Sequence, residues 1–161
     1  MRKGKNEINY KIKNDNYNTP IEAFQLIFKY VDKTKRIWCP FFNDGSLVNH
    51  LESLEVNYIH SNTDFFTYEP DFEILIDNPP YSIKQKVFER CIALDKPFAL
   101  LVPMDTLDRQ YFSRLFKDKD ITIIIPINRY NFVSNEKKLT PPFKCIWICC
   151  NFKLDKQIIF E

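Results

Sequence analysis

The sequence predicts an α/β fold in one domain, with a mostly parallel sheet and an antiparallel last strand. Short apolar runs alternate with longer amphipathic runs from residue 19 onward, which is typical of β-α-β layering. The chain has 161 residues, 45% of them hydrophobic, which is enough for one buried core. The last two apolar runs are joined by a polar segment, residues 127–142, and this favours an antiparallel hairpin over a helical crossover.

The first half of the domain is predicted to begin with a helix. Apolar residues recur on one face over residues 20–31, with Thr19 as the cap and Pro20 in the first turn. A second amphipathic segment has Asp44 or Ser46 as its candidate N-cap. The expected elements are a helix over 20–31, a strand over 36–40, a helix over 46–54 and a strand over 56–60.

The second half continues this alternation and then departs from it. Runs rich in Ile, Leu, Val and Phe indicate strands, and apolar residues at helical spacing between them indicate helices. The expected elements are a strand over 72–76, a helix over 83–95, a strand over 97–103, a helix over 106–116, and strands over 121–126 and 143–152.

Composition excludes several classes of protein. No apolar run approaches the roughly 20 residues that span a bilayer, and the N-terminal residues lack a signal peptide's apolar stretch, so we expect a cytoplasmic protein. The five cysteines form no C-x-x-C pair and are expected to be reduced thiols, mostly in the core. The two histidines, His50 and His60, lack the spacing of metal ligands, so no metal site is expected.

Charge is distributed unevenly along the chain. Residues 1–13 hold five basic residues against Glu7, a net charge of +4, and the remainder of the chain carries −2. We expect residues 1–18 to form a basic, flexible tail and residues 19–161 to form the single folded domain. The tail supports a nucleic-acid partner only weakly, because a solvated terminus explains the same charge.

The loops that follow the predicted strands are the places to look for a site, because ligands of open parallel sheets bind beyond the carboxyl ends of strands. Each of these loops has an unusual composition. Their sequences are CPFFNDGS (39–46), SNTDFF (61–66), DNPPYS (77–82) and PMD (103–105).

The order and spacing of these loops resemble the class I methyltransferases that use S-adenosylmethionine, specifically the amino-methyltransferases with an Asn/Asp-Pro-Pro-Tyr/Phe motif. IWCPFFNDGS, DFF, NPPYS and LDKPFALLVP together are similar to small adenine-specific methylase-like proteins of bacteria and phages. The resemblance covers residues 19–152. It implies a Rossmann-like methyltransferase sandwich, S-adenosyl-L-methionine as cofactor, and the cytoplasm of a bacterium or a phage-infected host. Taken alone, NPPY is equally an ordinary turn.

The resemblance assigns catalysis to Asn78, Pro79, Pro80 and Tyr81. An exocyclic amino group on a base is a poor nucleophile because its lone pair is delocalised into the ring. If Asn78 Oδ1 and the Pro79 carbonyl accept its two N–H bonds, the lone pair points toward the methyl donor and the developing positive charge is stabilised. The prolines, with φ near −65°, hold that carbonyl in place. Tyr81 would stack on the extruded base, and Asp77 either orients Asn78 or is an ordinary strand-end carboxylate.

The family's cofactor loop has the pattern Asp-Pro-Phe-x-Gly-x-Gly-Ser. Cys39 stands in place of the Asp and Asn43 in place of the first Gly, and Asn tolerates the left-handed region best after Gly. Loss of the Asp removes a usual contact to the methionine amino group, although the narrower phage-like family accepts Trp-Cys-Pro here. The positions that match the pattern are Pro40, Phe41, Gly45 and Ser46.

The resemblance implies further contacts to the cofactor. Asp64 would accept a hydrogen bond from its adenine amino group and Phe65 would pack on its ring, although a loop Asp before a core Phe is the plain alternative. Thr19 and Pro20 resemble the upstream element that contacts the methionine moiety. No Asp or Glu ends the second strand, so the ribose would be held by His60, Ser61 or Asn62.

The segment NRYNF (128–132) resembles the family segment in which an aromatic side chain faces the target base. Tyr130 or Phe132 would have that role, although aromatic residues at such positions are more often part of the core.

The leading functional hypothesis is transfer of a methyl group from S-adenosylmethionine to the N6 amino group of adenine in nucleic acid, with DNA favoured over RNA. Two alternatives stay open. One is a weak or inactive methyltransferase-like module that binds protein or nucleic acid, and the other keeps the reaction but takes RNA adenine or a protein glutamine as acceptor. A chain of 161 residues leaves no room for a separate target-recognition domain, so a protein partner could supply recognition. No membrane or metal partner is expected.

Overall fold

The computed structural model describes residues 18–134 and 137–161, with side chains for residues 18–133 and 140–161. The expected basic tail falls almost wholly in residues 1–17, which lie outside the described residues. The helices are α1 (Ile21–Ile27), α2 (Leu47–Ser53), α3 (Lys84–Ala93) and α4 (Gln110–Phe116). Short 3₁₀ turns extend α1 and precede α3 and α4, at Phe28–Tyr30, Tyr81–Ile83 and Met104–Asp108.

The strands agree with the alternation predicted from the sequence. They are β1 (Ile37–Trp38), β2 (Tyr58–Ile59), β3 (Ile74–Asp77), β4 (Phe98–Pro103), β5 (Ile121–Ile125), β6 (Phe132–Ser134), β7 (Lys137–Leu139), β8 (Cys145–Cys150) and β9 (Ile158–Phe160). Seven of them form one sheet in the order β2-β1-β3-β4-β8-β5-β9, and β6 and β7 form a separate hairpin.

The direction of the strands confirms a mostly parallel sheet with an antiparallel strand near the chain's end. β8 runs antiparallel to both of its neighbours, β4 and β5, whereas the other neighbouring pairs in this sheet are parallel. Two elements add to the prediction. The polar connection before β8 contains the β6–β7 hairpin, and β9 follows β8 and pairs in parallel with β5.

Two apolar layers cover the two faces of the sheet, so the fold is an α/β sandwich. One layer packs α1 and α2 residues such as Phe24 and Leu51 against the sheet. The other packs α3 and α4 residues such as Phe88 and Phe116. The side chains of β8 alternate between the layers, with Trp147 in the first and Ile148 in the second, and every residue of β8 is buried.

Other features of the described residues bear on the expectations from composition. All five cysteines are buried and form no disulfide, which agrees with their expected place in the core. In the described part of the chain, no helix is long and apolar enough to cross a membrane. Among those same residues, no cluster of His, Cys, Asp and Glu could hold a metal ion.

Candidate active site

The position of the site follows from the strand order. The chain runs from β1 to β2 and then to β3, but β1 lies between the other two in the sheet. The connections after β1 and β3 therefore leave in opposite directions, and a crevice opens beyond their carboxyl ends. The structure has a cleft of about 1010 Å³ at this point, lined by loops after β1, β2, β3 and β4 and by residues 132 and 140–143.

Most of the residues singled out in the sequence meet in this one cleft. The predicted catalytic motif and part of the predicted cofactor loop line the same cleft. Of the three residues predicted as candidates to hold the ribose, His60, Ser61 and Asn62, only Asn62 is among the described residues that line it. The predicted residues that line the cleft are Thr19, Pro40, Phe41, Ser46, Asn62, Asp64, Phe65, Asn78, Pro79, Pro80, Tyr81 and Phe132.

Asn78 is held on two sides. Its Nδ2 donates a hydrogen bond of 2.7 Å to Thr19 Oγ1, across 59 positions of sequence. Its backbone N–H donates one of 2.8 Å to Asp77 Oδ1. Thr19 was predicted to cap α1, and that prediction is wrong. The N-cap is Pro20, whose side chain makes no capping hydrogen bond, and Thr19 accepts the hydrogen bond from the Asn78 amide instead.

The remaining polar atom of this amide has no partner. Asn78 Oδ1 is buried, lies on a residue that lines the cleft, and accepts no hydrogen bond from any described residue. A buried acceptor without a donor is costly, on the order of 1–3 kcal/mol. Because this oxygen is itself buried, a ligand in the cleft would have to displace a neighbouring group to bring an N–H group to it and remove that cost.

Asp77 links the motif to the cofactor loop. Its Oδ2 accepts a hydrogen bond of 2.7 Å from the Phe41 N–H, and its Oδ1 accepts the bond from the Asn78 N–H. The side chain is only 2% exposed. Burial raises the pKa of Asp77 to about 8, against the opposing effect of the two backbone hydrogen bonds. Of the two interpretations of Asp77, the geometry supports the one in which it orients Asn78.

Tyr81 is positioned by two contacts at the mouth of the cleft. Its hydroxyl lies 3.3 Å from Cys145 Sγ, at the start of β8. Its ring meets the Phe143 ring edge to face, with centroids 6.3 Å apart. Both aromatic side chains line the cleft and pack edge to face.

The loop after β1 makes a tight turn that needs positive φ angles. Asn43 has a φ of 50°, which confirms that it takes the left-handed conformation in place of a glycine. Gly45 has a φ of +79°, and a Cβ at this position would lie 2.8 Å from Phe42 Cζ. Asn18 fastens the turn from outside: it donates to Asp44 Oδ2 and accepts from Asn43 Nδ2, both at 2.9 Å.

The lining of the cleft is acidic. Lys84 is the one basic residue among the described residues that line it, against Asp44, Asp64 and Asp105; Asp77 also lines it, but with a pKa of about 8 it is mostly neutral at pH 7. For Asp44, burial raises the pKa, but the hydrogen bonds from Ser46 and Asn18 outweigh it and hold the pKa below its ordinary value. Asp105 forms a 2.8 Å ion pair with Arg109, in which both side chains are more than half exposed. The acidic lining favours a cationic ligand over a polyanionic one.

Some predicted residues lie elsewhere. Cys39 and Tyr130 are buried in the apolar layer that contains α1. These two residues, Pro20 and Gly45 are not among the residues that line the cleft. Burial raises the pKa of the Cys39 thiol. His60 is turned toward the backbone, where its Nδ1 donates to the Cys39 carbonyl at 2.7 Å, and burial lowers its pKa.

The sequence reasoning missed several cleft residues. Asp44 was considered only as a helix cap, Asp105 was noted in PMD without a role, and Phe143 was considered only as the start of the last predicted strand. A signal for Phe143 was present: Pro141-Pro142-Phe143 repeats the Pro-Pro-aromatic order of residues 79–81.

Comparison with known proteins finds solved structures of similar fold. No protein-family model matches this sequence, and no curated protein matches it. A dimethyladenosine transferase from Plasmodium falciparum superposes with a TM-score of 0.52 and 11% identity, over 83% of this chain and 62% of that one. A modification subunit of a type I restriction enzyme from Vibrio vulnificus superposes with a TM-score of 0.54 and 11% sequence identity, over 95% of this chain and 47% of that one.

A third solved structure matches over nearly its whole length. A precorrin 8W decarboxylase from Methanobacterium thermoautotrophicum gives a TM-score of 0.52 at 11% identity, over 88% of this chain and 96% of that one. This chain spans only part of the length of the first two proteins, and at this identity the likeness concerns the fold. The chain therefore has the Rossmann-like α/β fold in which these structures are built.

Proposed function

We propose that this protein is an S-adenosylmethionine-dependent methyltransferase that acts on the N6 amino group of adenine in nucleic acid, with DNA as the favoured acceptor. The observation that carries the proposal is the unpartnered Oδ1 of Asn78, buried in the wall of the cleft. An exocyclic amine supplies the N–H group that this oxygen lacks.

The residues around Asn78 suit this role. Thr19 holds Nδ2 and Asp77 holds the backbone N–H, so the amide is fixed with Oδ1 as its free acceptor. The Pro79 carbonyl is the second acceptor in the proposal, and both prolines line the cleft. Acceptors fixed before the reaction can stabilise positive charge on the amine nitrogen without reorganising. Tyr81 would support the ring of the base by stacking.

The chemistry of the cleft fits S-adenosylmethionine. When bound, this cofactor supplies an electrophilic methyl group on a positively charged sulfur. Asp44 and Asp64 place carboxylates on the side of the cleft formed by the loops after β1 and β2, where the cofactor would bind. Phe41 and Phe65 pack against each other with centroids 5.2 Å apart and offer an apolar surface for its adenine ring. The Cys39 side chain lies in the core, at the position where the family pattern has an Asp. Asp44, five positions later, would supply the carboxylate instead.

Adenine as the acceptor is supported by the motif and by two neighbours. The sequence Asn-Pro-Pro-Tyr resembles the amino-methyltransferase motif, and the solved structures of similar fold include a dimethyladenosine transferase and a restriction modification subunit. A weak or inactive module is the second candidate, favoured by the absence of a carboxylate at position 39. RNA adenine or a protein glutamine would present a similar planar N–H group.

The test measures transfer of radiolabelled methyl groups to unmodified A/T-rich DNA, to RNA of matched sequence and to a glutamine-containing peptide. Parent protein should label DNA most strongly. Asn78→Ala should lower the rate by about 10²–10³-fold, as does loss of a single preorganised hydrogen-bonding group elsewhere, while Asn78→Asp, which keeps an acceptor oxygen, should retain more activity.

Calorimetry with S-adenosylmethionine separates the two candidates. Cofactor binding that is unchanged in Asn78→Ala, together with lost transfer, would support the proposed role. Absence of cofactor binding at millimolar concentration would favour the inactive module, and full activity in Asn78→Ala would contradict the role of Asn78.

A further inference from the structure

The loop after β2 contains one closed turn, residues 64–68, here called the Asp64 turn. Residues 60–73, all of them described, contain no helix or strand. The Asp64 carbonyl accepts a hydrogen bond of 3.0 Å from the Tyr68 N–H, and Asp64 Oδ1 accepts one of 2.9 Å from the Phe66 N–H. Asp64 therefore closes the first end of the turn, but the carbonyls at the other end need donors from elsewhere in the fold.

Arg90, on α3, supplies those donors. Its Nη1 donates to the Phe66 carbonyl at 3.2 Å, and its Nη2 donates to the Tyr68 carbonyl at 3.3 Å. The guanidinium carbon also lies 5.3 Å from the centroid of the Phe65 ring, which is the geometry of a cation–π contact. The ion pairs among the described residues do not include Arg90. Its guanidinium thus acts on the Asp64 turn and not on a carboxylate.

The Asp64 turn presents its other side to the cleft. Asp64 and Phe65 line the cleft, and Phe65 packs against Phe41, which also lines it, with ring centroids 5.2 Å apart. Trp38 supports the Phe65 ring from the core, with centroids 5.5 Å apart. Arg90 is not among the residues that line the cleft. It therefore contacts this part of the site only through the turn.

The helix that carries Arg90 is itself fixed. It begins just after the motif at residues 78–81, which is followed by a 3₁₀ turn and then by α3. Three of its side chains, Val87, Phe88 and Cys91, are buried in the second apolar layer. Because α3 is anchored to the sheet in this way, Arg90 ties a loop without regular structure to a rigid element.

We infer that Arg90 is a positioning residue for S-adenosylmethionine, which holds the Asp64 turn in the shape that presents Asp64 and Phe65 to the adenine end of the cofactor. An arginine suits this task because its planar group donates to two carbonyls in a fixed geometry while it lies over a ring. Without it, both carbonyls lose their donors and the turn rearranges to bond with water. The inference rests on the proposed function for its ligand.

The test is calorimetry of the variant Arg90→Met with S-adenosylmethionine and with adenosine, which has the adenine but lacks the methionine part. Both ligands should bind about tenfold more weakly, because the variant loses two charged hydrogen bonds that shape the turn. Arg90→Lys keeps the charge without the planar group, and its affinities should fall between those of Arg90→Met and the parent. If Arg90→Met does not fold, Arg90→Lys makes the same comparison.

Lys96→Met is the matched control. Lys96 Nζ donates to the Phe72 carbonyl at 2.7 Å and lies 4.2 Å from the centroid of the Phe72 ring. Neither residue is among those that line the cleft. The control removes the same kinds of contact as Arg90→Met, but it should bind both ligands as the parent does. Equal losses of affinity in Lys96→Met and Arg90→Met would show general destabilisation and overturn the inference.

Hydrogen exchange of the backbone amides tests the turn without any ligand. The Phe66 and Tyr68 amides bond within the Asp64 turn, so both should exchange faster in Arg90→Met than in the parent or in Lys96→Met. Unchanged exchange would show that Arg90 does not hold the turn. Faster exchange with parent affinity for both ligands would show that the turn's shape has no effect on binding, which also overturns the inference.

The outcome can be separated from the fate of the proposed function. Binding of S-adenosylmethionine that depends on Arg90, without methyl transfer to any acceptor, would support this inference and remove the enzyme. Methyl transfer by a variant Arg90→Met that keeps the parent affinity would retain the enzyme and remove the role of Arg90. A parent protein that binds neither S-adenosylmethionine nor adenosine would contradict both.

Discussion

Single residues fix the geometry of the candidate site through contacts distant in sequence. Thr19 and Asp77 each bind one N–H donor of Asn78, and Asp77 also binds the Phe41 N–H of the cofactor loop. The two loops that meet in the cleft are therefore joined through one buried carboxyl group. Thr19 and Asp77 also line the cleft, and changes at either residue should affect the site through the position of Asn78.

Thr19→Val should lower the rate of methyl transfer while leaving affinity for S-adenosylmethionine nearly unchanged. The substitution keeps the shape of the side chain and removes the acceptor of the 2.7 Å bond from Asn78. A hydrogen bond is worth about 1 kcal/mol, so we expect a loss of about fivefold in kcat. Thr19→Ser, which keeps the hydroxyl, should restore the rate, and equal losses in both variants would show that the methyl group matters instead.

Asp77 should make stability depend on pH. Its pKa is about 8 in the folded chain against 3.8 ordinarily, so the folded state binds the proton more tightly than the unfolded state does. Its contribution to stability is fully present below about pH 4 and is lost as the pH rises through 8. The free energy of unfolding should therefore fall between pH 5 and pH 9 in the parent, as measured by urea denaturation.

The matched variant is Asp77→Asn, which cannot ionise. Its unfolding free energy should vary less over the same pH range, and at pH 5 it should be less stable than the parent because one of two buried N–H groups loses its acceptor, at a cost of about 1–3 kcal/mol. Parallel pH curves for the two proteins would show that Asp77 keeps an ordinary pKa.

At the scale of elements, the loop after β1 depends on its one glycine. Gly45→Ala adds a Cβ in the left-handed region, at a cost of about 1–2 kcal/mol, and next to the Phe42 ring. We expect roughly tenfold weaker binding of S-adenosylmethionine by calorimetry. Glu55 also has a positive φ, of 55°, but lies outside the cleft, so Glu55→Ala should leave cofactor affinity unchanged. Unchanged binding in Gly45→Ala would exclude this turn from the cofactor site.

The segments 79–81 and 141–143 share one sequence order, Pro-Pro-aromatic. They bring Tyr81 and Phe143 together at the cleft. Phe143→Ala should raise the KM for nucleic acid, because base stacking is worth about 1–3 kcal/mol, without altering cofactor affinity. Phe143→Tyr should retain the parent KM, since it keeps the ring. A KM that is the same in Phe143→Ala would remove the aromatic pair from substrate binding.

At the scale of the whole molecule, the core protects its thiols. All five cysteines are buried, and burial raises the pKa of Cys145 and Cys150 to about 11. A thiol-specific colorimetric reagent at pH 8 should label none of them in native protein and all five in guanidinium chloride. Reductant should leave the melting temperature unchanged. Rapid labelling of native protein would contradict the packing of β8.

The sequence by itself determined the layers of the molecule. Apolar spacing along the chain identified four helices and six strands, β1 to β5 and β8, because helix and strand periods are local properties. It also located the Asn-Pro-Pro-Tyr motif at a strand end, and the left-handed turn at Asn43. It did not identify β9 or the β6–β7 hairpin, because these strands lie in segments that lack an apolar run of strand length.

Only the tertiary structure decided which side chains share the cleft. Three contacts in the cleft join residues far apart in sequence: Thr19 with Asn78, Asn18 with Asp44, and Phe143 with Tyr81. It also placed Cys39 and Tyr130 in the core rather than in the site. The physical reason is that a side chain's direction depends on which strands become neighbours and on register, where a shift of one residue exchanges the two faces. No local pattern records that choice.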